Sequence, residues 1–172
     1  MSKKRLIRWI SVLACAALQA ACASYDGRGL IPGQSRSGDV EQLMGPPKEK
    51  ISTAAGDSVW FYPRGPYGRH TYAVRIAPDG VMREIEQRLT VRNMENLVAG
   101  TTTAKEVRAL FGPPGRVTRL PRQERDVWEY RMFNQIDIEY SLFVQFSADG
   151  VVREALFLRD PKYDVGSPGG YN

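Results

Sequence analysis

His70 is the single histidine of the chain, and Cys15 and Cys22 are its two cysteines, so any chemistry that needs an imidazole or a thiolate must use them. Both cysteines precede Ala23, in a segment with the features of an export leader and its cut. The remainder of the chain therefore cannot build a zinc site of the usual His and Cys kind. A Ser-His-Asp triad would have to use His70, which lies in the Pro63 to Tyr72 stretch and reads as part of a hairpin loop. Paired carboxylates exist as Glu84 with Glu86, or Glu154 with Asp160. The first pair alternates along a strand and reads as a solvated face. Gly112-Pro113-Pro114-Gly115 follows an expected helix instead of preceding one, so its amides cannot form a phosphate cradle at a helix start. The expectation is a protein without catalytic residues, metal or cofactor, acting by contact.

The one covalent reaction that the residues do suggest is acylation of a thiol. Lys3, Lys4, Arg5 and Arg8 precede the apolar run Trp9 to Leu18, and Gln19-Ala20-Ala21-Cys22 follows. That run is too short to span a bilayer, whereas a basic start, an apolar stretch and small residues before a cut are the parts of a secretory signal. Ala20-Ala21-Cys22 is similar to the end of a bacterial lipobox, in which the cysteine receives a diacylglyceryl group and becomes the new N-terminus. A rival reading puts the lipid on Cys15. Ala23 after the cysteine resembles the sorting signal for the outer membrane. The net charge of +5 does not point to nucleic acid, because four of the 24 basic residues sit in this leader and 19 acids oppose the rest.

The elements that would display any site occur twice. Val40 to Pro47 (Val-Glu-Gln-Leu-Met-Gly-Pro-Pro) returns as Val107 to Pro114 (Val-Arg-Ala-Leu-Phe-Gly-Pro-Pro). Val59-Trp60-Phe61-Tyr62 returns as Val127-Trp128-Glu129-Tyr130, and Asp79 to Glu84 returns as Asp149 to Glu154. The register drifts only between these blocks, and insertions fall in loops, so the pattern predicts two copies of one folding unit. Thr103 with Glu106 makes a capping box for a helix with Val107, Leu110 and Phe111 on one stripe, stopped by Gly112 and two prolines. In the first copy Ser35 or Ser37 takes the cap position. Thr90 to Val98 predicts a further short helix, whose counterpart in the first copy is degraded. In the second copy the Trp128 and Tyr130 side stays aromatic while its alternates become Glu129 and Arg131. The Trp and Tyr side is therefore expected to be core, with Glu129 facing solvent.

The expected fold is thus α+β: two tandem small units, each of two helices followed by a three-stranded antiparallel β-meander, with the helices on one face of the sheet. The boundaries are a leader at 1–21, the lipidated cysteine and a glycine-rich tether at 22–33, a first unit at 34–89, a second at 90–158, and a flexible tail at 159–172. Two surface features stand out. Arg64, Tyr67, Arg69 and His70 mix aromatic and guanidinium groups of the kind enriched at protein contacts. Arg116, Arg119 and Arg122 punctuate the loop before the second unit's first strand, where they could meet anionic lipid.

A lipobox, a capped helix ending in Leu-x-Gly-Pro-Pro, then Trp-x-Tyr and an Asp-Gly turn into the last strand together resemble the SmpA/OmlA (BamE-like) family of small outer-membrane lipoproteins. The resemblance implies a lipid anchor in the outer membrane, a periplasm-facing fold and other envelope proteins as partners, the β-barrel assembly machine among them. Two tandem units are also similar to the secreted β-lactamase inhibitor proteins, which implies an inhibitor of a periplasmic or secreted enzyme. A lipid- or peptidoglycan-binding stress lipoprotein is the third reading.

Overall fold

A computed structural model of the protein describes residues 26–64, 68–134 and 136–160. Cys15, Cys22 and Tyr67 lie outside these residues, as do the expected leader and all of the expected tail beyond Asp160. Helix α1 (Ser37–Met44) leads into strands β1 (Glu49–Ser52), β2 (Ser58–Arg64), β3 (His70–Ile76) and β4 (Met82–Gln87). The short helix α2 (Val91–Met94) and helix α3 (Ala104–Phe111) precede β5 (Arg116–Leu120), a 3-10 turn (Pro121–Gln123), β6 (Arg125–Phe133), β7 (Glu139–Phe146) and β8 (Val152–Arg159). The class is α+β, with two antiparallel four-stranded sheets in the orders β1-β2-β3-β4 and β5-β6-β7-β8.

The expected three-stranded meanders are thereby corrected to four strands each. Strands β1 and β5 follow the Gly-Pro-Pro stops, and their sequences, Glu-Lys-Ile-Ser and Arg-Val-Thr-Arg-Leu, are charged; β5 is largely exposed, and β1 alternates half-buried Glu49 and Ile51 with exposed Lys50 and Ser52. Edge strands of this composition resist pairing with other chains, and neither shows an apolar–polar alternation in its sequence. The expected pair of helices per unit is also corrected. Among the described residues only α1 precedes the first sheet.

Local chemistry explains where the helices start and stop. Thr103 Oγ1 accepts from the Glu106 amide while Glu106 accepts from the Thr103 amide at 2.7 Å, the reciprocal box expected. In α1 the cap is Arg36, not Ser35 or Ser37: Asp39 accepts its amide at 2.7 Å, and Ser35 Oγ accepts from Ile31 N instead. Both helices end on a glycine with nearly the same backbone, Gly45 at φ 80 and ψ −174 and Gly112 at φ 79 and ψ −162. That region of backbone space is essentially reserved for glycine.

Each helix packs on one sheet face. Val40 and Met44 join Trp60, Tyr62, Val74, Ile76 and Met82 in the first core, and Val107 and Phe111 join Tyr130, Met132, Leu142 and Val144 in the second. The aromatic side of β2 and β6 is therefore core, with one qualification: Trp60 is buried, while Trp128 is half-buried against Phe146 at 4.7 Å. The first sheet is buried on its other face too, where Val59, Phe61 and Ala73 form a separate cluster with Ile51. Leu30 packs on the first core, and a Cβ on the buried Gly27 would lie 2.4 Å from Ile85, so residues 26–33 are docked on the first unit.

Candidate functional site

The end of α3 reaches the second face of the first sheet. A Cβ on Gly112 would lie 2.6 Å from the Phe61 ring and 3.1 Å from the Thr71 methyl, so only a glycine allows this approach. Beside it, Arg108 Nε donates to Glu49 Oε1 at 2.6 Å, tying α3 to β1. On the far side of the joint, Arg69 Nε donates to Glu139 Oε1 at 2.8 Å, and His70 meets Phe133 with ring centroids 5.5 Å apart. Two ion pairs, an aromatic contact and a glycine seat thus hold the units together.

Between these contacts a cleft of about 440 Å³ stays open, within the range of ordinary ligand sites. Lys48, Pro63 and Thr71 line it from the first unit, and Pro113, Arg116 and Arg131 from the second. Glu129 lies among the cations and pairs with Arg116 at 3.5 Å and Arg131 at 3.4 Å. Its side chain is only 12% exposed, which corrects the expectation that it faces solvent: it is the acid that holds two cleft arginines apart. Three cations against one acid leave the lining positive, and prolines give it rigid apolar walls. Such a surface suits an anionic or extended peptide segment better than a reacting small molecule.

The sequence-predicted site residues fall in and around this joint. Arg64 donates to the carbonyl of Met44 at the end of α1 and lies over the Tyr62 ring, at 5.1 Å, so it finishes a helix. Arg69 and His70 belong to the contact between units. Burial lowers the His70 imidazole below its usual value, Asp137 opposes this and Arg69 adds to it. The expected arginine cluster is divided. Arg116 pairs in register with Glu129 and Arg119 with Asp126, which places them on opposite faces of β5, and Arg122 stands on the 3-10 turn. Arg119 is bound to Asp126 at 2.9 Å. Among the three, only Arg116 enters the cleft. Lys48 and Arg131 were not legible as site residues, because their meeting depends on how two distant units pack.

Among the described residues no group of His, Cys, Asp or Glu could hold a metal ion, and no helix is long and apolar enough to cross a membrane. No protein-family profile matches the chain, and no curated protein does. Among solved structures, it is similar to a DUF4309 family protein (YjgB) from Bacillus subtilis, at 20% identity over 80% of this chain and 86% of that one, with a TM-score of 0.30. A likeness at that level assigns neither fold nor function.

Proposed function

We propose that this protein is a non-enzymatic lipoprotein of the SmpA/OmlA kind, anchored through Cys22 in the outer membrane, whose two tandem units hold a cleft toward the periplasm for other envelope proteins. Barrel assembly or maintenance of the envelope is the setting the resemblance favours. The observation that carries this reading is the cleft itself. It lies between two units joined by part-buried ion pairs and the Gly112 seat, its walls are prolines and cations, and its one acid is already paired with arginine. Tethering to one membrane raises the local concentration of a weak binder, so a modest cleft suffices.

The test is crosslinking in intact envelopes followed by identification of captured proteins. Lys48→Glu, a change at an exposed lysine on the cleft rim, is expected to reduce capture without altering the circular dichroism of the purified chain. Capture that is indifferent to Lys48→Glu would move the contact surface elsewhere. Cys22→Ser is expected to shift the protein into the soluble periplasmic fraction; retention in the membrane would remove the proposed anchor.

A further inference from the structure

The joint between the units is one-sided, and its unused halves match each other. On the first sheet the seat for a Gly-Pro-Pro stop is made by Glu49, Phe61 and Thr71, and the α3 stop fills it. Strand register gives the corresponding positions on the second sheet. Glu49 pairs with Phe61 as Arg116 pairs with Glu129, and Phe61 pairs with Ala73 as Glu129 pairs with Phe143. One step further along, Thr71 corresponds to Ser141, another small hydroxyl residue. The second seat is the cleft wall, since Arg116, Glu129 and Arg131 line the opening. The other unused half is the α1 stop. Gly45 has the backbone conformation of Gly112, but a Cβ on it would meet nothing within 4 Å.

The charges across the two seats are reversed together. In the filled joint the helix carries Arg108 and the strand carries Glu49, 2.6 Å apart. At the unused halves the helix carries Glu41 in place of Arg108, and the strand carries Arg116 in place of Glu49. The exchange of both signs keeps the pair attractive. Glu41 is held by Lys50 in a half-exposed pair that costs little to exchange; Arg116 is itself largely exposed, and its partner Glu129 keeps Arg131 at 3.4 Å if Arg116 turns outward.

We therefore propose that the cleft receives the Gly45-Pro46-Pro47 stop of a second copy of this chain, with Glu41 of one molecule facing Arg116 of the next. This rests on the reading of the cleft as a binding site and names its occupant. Contacts made head to tail in this way are heterologous and build rings or filaments, whereas a reciprocal pair of them closes a two-fold dimer. On a membrane they would join tethered molecules into a row.

The test is sedimentation velocity of the full chain in detergent across a concentration series, with Glu41→Arg, Arg116→Glu and their equimolar mixture. Wild type is expected to associate as concentration rises. Each reversal sets like charges against each other and is expected to weaken association on the order of tenfold or more. The mixture restores one attractive pairing per contact and is expected to recover association, which a folding defect could not do. A wild type that sediments as a monomer at every concentration, or reversals that a mixture does not rescue, would overturn the proposal. Association that appears only after residues 161–172 are removed would assign the cleft to the chain's own end. Loss of envelope partners in Lys48→Glu beside a monomeric wild type would leave the partner-binding reading standing and self-docking refuted. Rescued self-association with no other protein captured would do the opposite.

Discussion

Gly112→Ala and Gly45→Ala make the same chemical change at the same backbone conformation, and only one of them should disturb the joint between units. Both glycines sit near φ 80 with ψ close to ±170, where a residue with a Cβ is strained by about 1–3 kcal/mol. At Gly45 that strain is the whole cost, because the added methyl enters open space. At Gly112 the methyl would stand 2.6 Å from the Phe61 ring, which is itself fully buried and cannot swing away. Forcing a methyl into a packed seat adds about 1–3 kcal/mol more, so Gly112→Ala should cost about 2–6 kcal/mol against about 1–3 for Gly45→Ala. Urea unfolding followed by tryptophan fluorescence measures both, with the difference appearing as a shift in midpoint at constant slope. A second mutation provides the control: Phe61→Leu should relieve part of the Gly112→Ala cost and none of the Gly45→Ala cost. Equal losses for the two alanine variants would mean that Gly112 does not seat against the first sheet, and the cleft beside it would lose its structural basis.

The paired tyrosines offer a second comparison. The Tyr130 hydroxyl donates to Gly112 O at 3.1 Å, whereas the buried Tyr62 hydroxyl has no hydrogen-bond partner among the described residues. Tyr130→Phe should therefore cost about 0.5–1.5 kcal/mol, while Tyr62→Phe should be neutral or stabilising in the same unfolding assay. Trp60→Ala should cost about 3–5 kcal/mol as a core truncation, and Trp128→Ala measurably less because Trp128 is only half-buried; reversed ranks would mean the second core is the better packed. His70 predicts a pH dependence. Its folded-state pKa lies below the unfolded value of about 6.5, so the unfolded chain takes up the proton first as pH falls. The stability it contributes is complete above that value and is lost progressively as pH drops toward the folded pKa. Replacing His70 with Gln should flatten that segment of the pH–stability curve, and an unchanged slope would assign it to other groups.

The helices and the central strands were legible because their signals are local. A capping box, an apolar stripe and a glycine stop act within a few residues, and the Trp-x-Tyr alternation is preserved where its partners turn polar. The edge strands were not legible, since Glu49–Ser52 turns only Ile51 toward an apolar cluster and Arg116–Leu120 is largely exposed, too little apolar surface to impose a period. Glu129 shows a different limit. A charged residue alternating with core aromatics reads as solvent-facing, and nothing near it in sequence reveals that Arg116 and Arg131 enclose it. Arg64, Arg69 and His70, expected as residues of a partner contact, make contacts within the chain. The cleft depends on which residues of two separate sheets come to face each other, and that is fixed only by packing.

The burial of Phe61 beneath the end of α3 also sets an order of events. A chain that emerges amino end first can pair β1 through β4 before Gly112 arrives. Until then Val59, Phe61 and Ala73 form an apolar face in contact with water, and partly folded species of this kind are prone to aggregate. The first unit is therefore expected to be weakly protected against exchange until the second is in place, and the two to gain protection as one cooperative block. Duplication in this protein has not produced two independent beads. It has made the later half the cover of Phe61 in the earlier one.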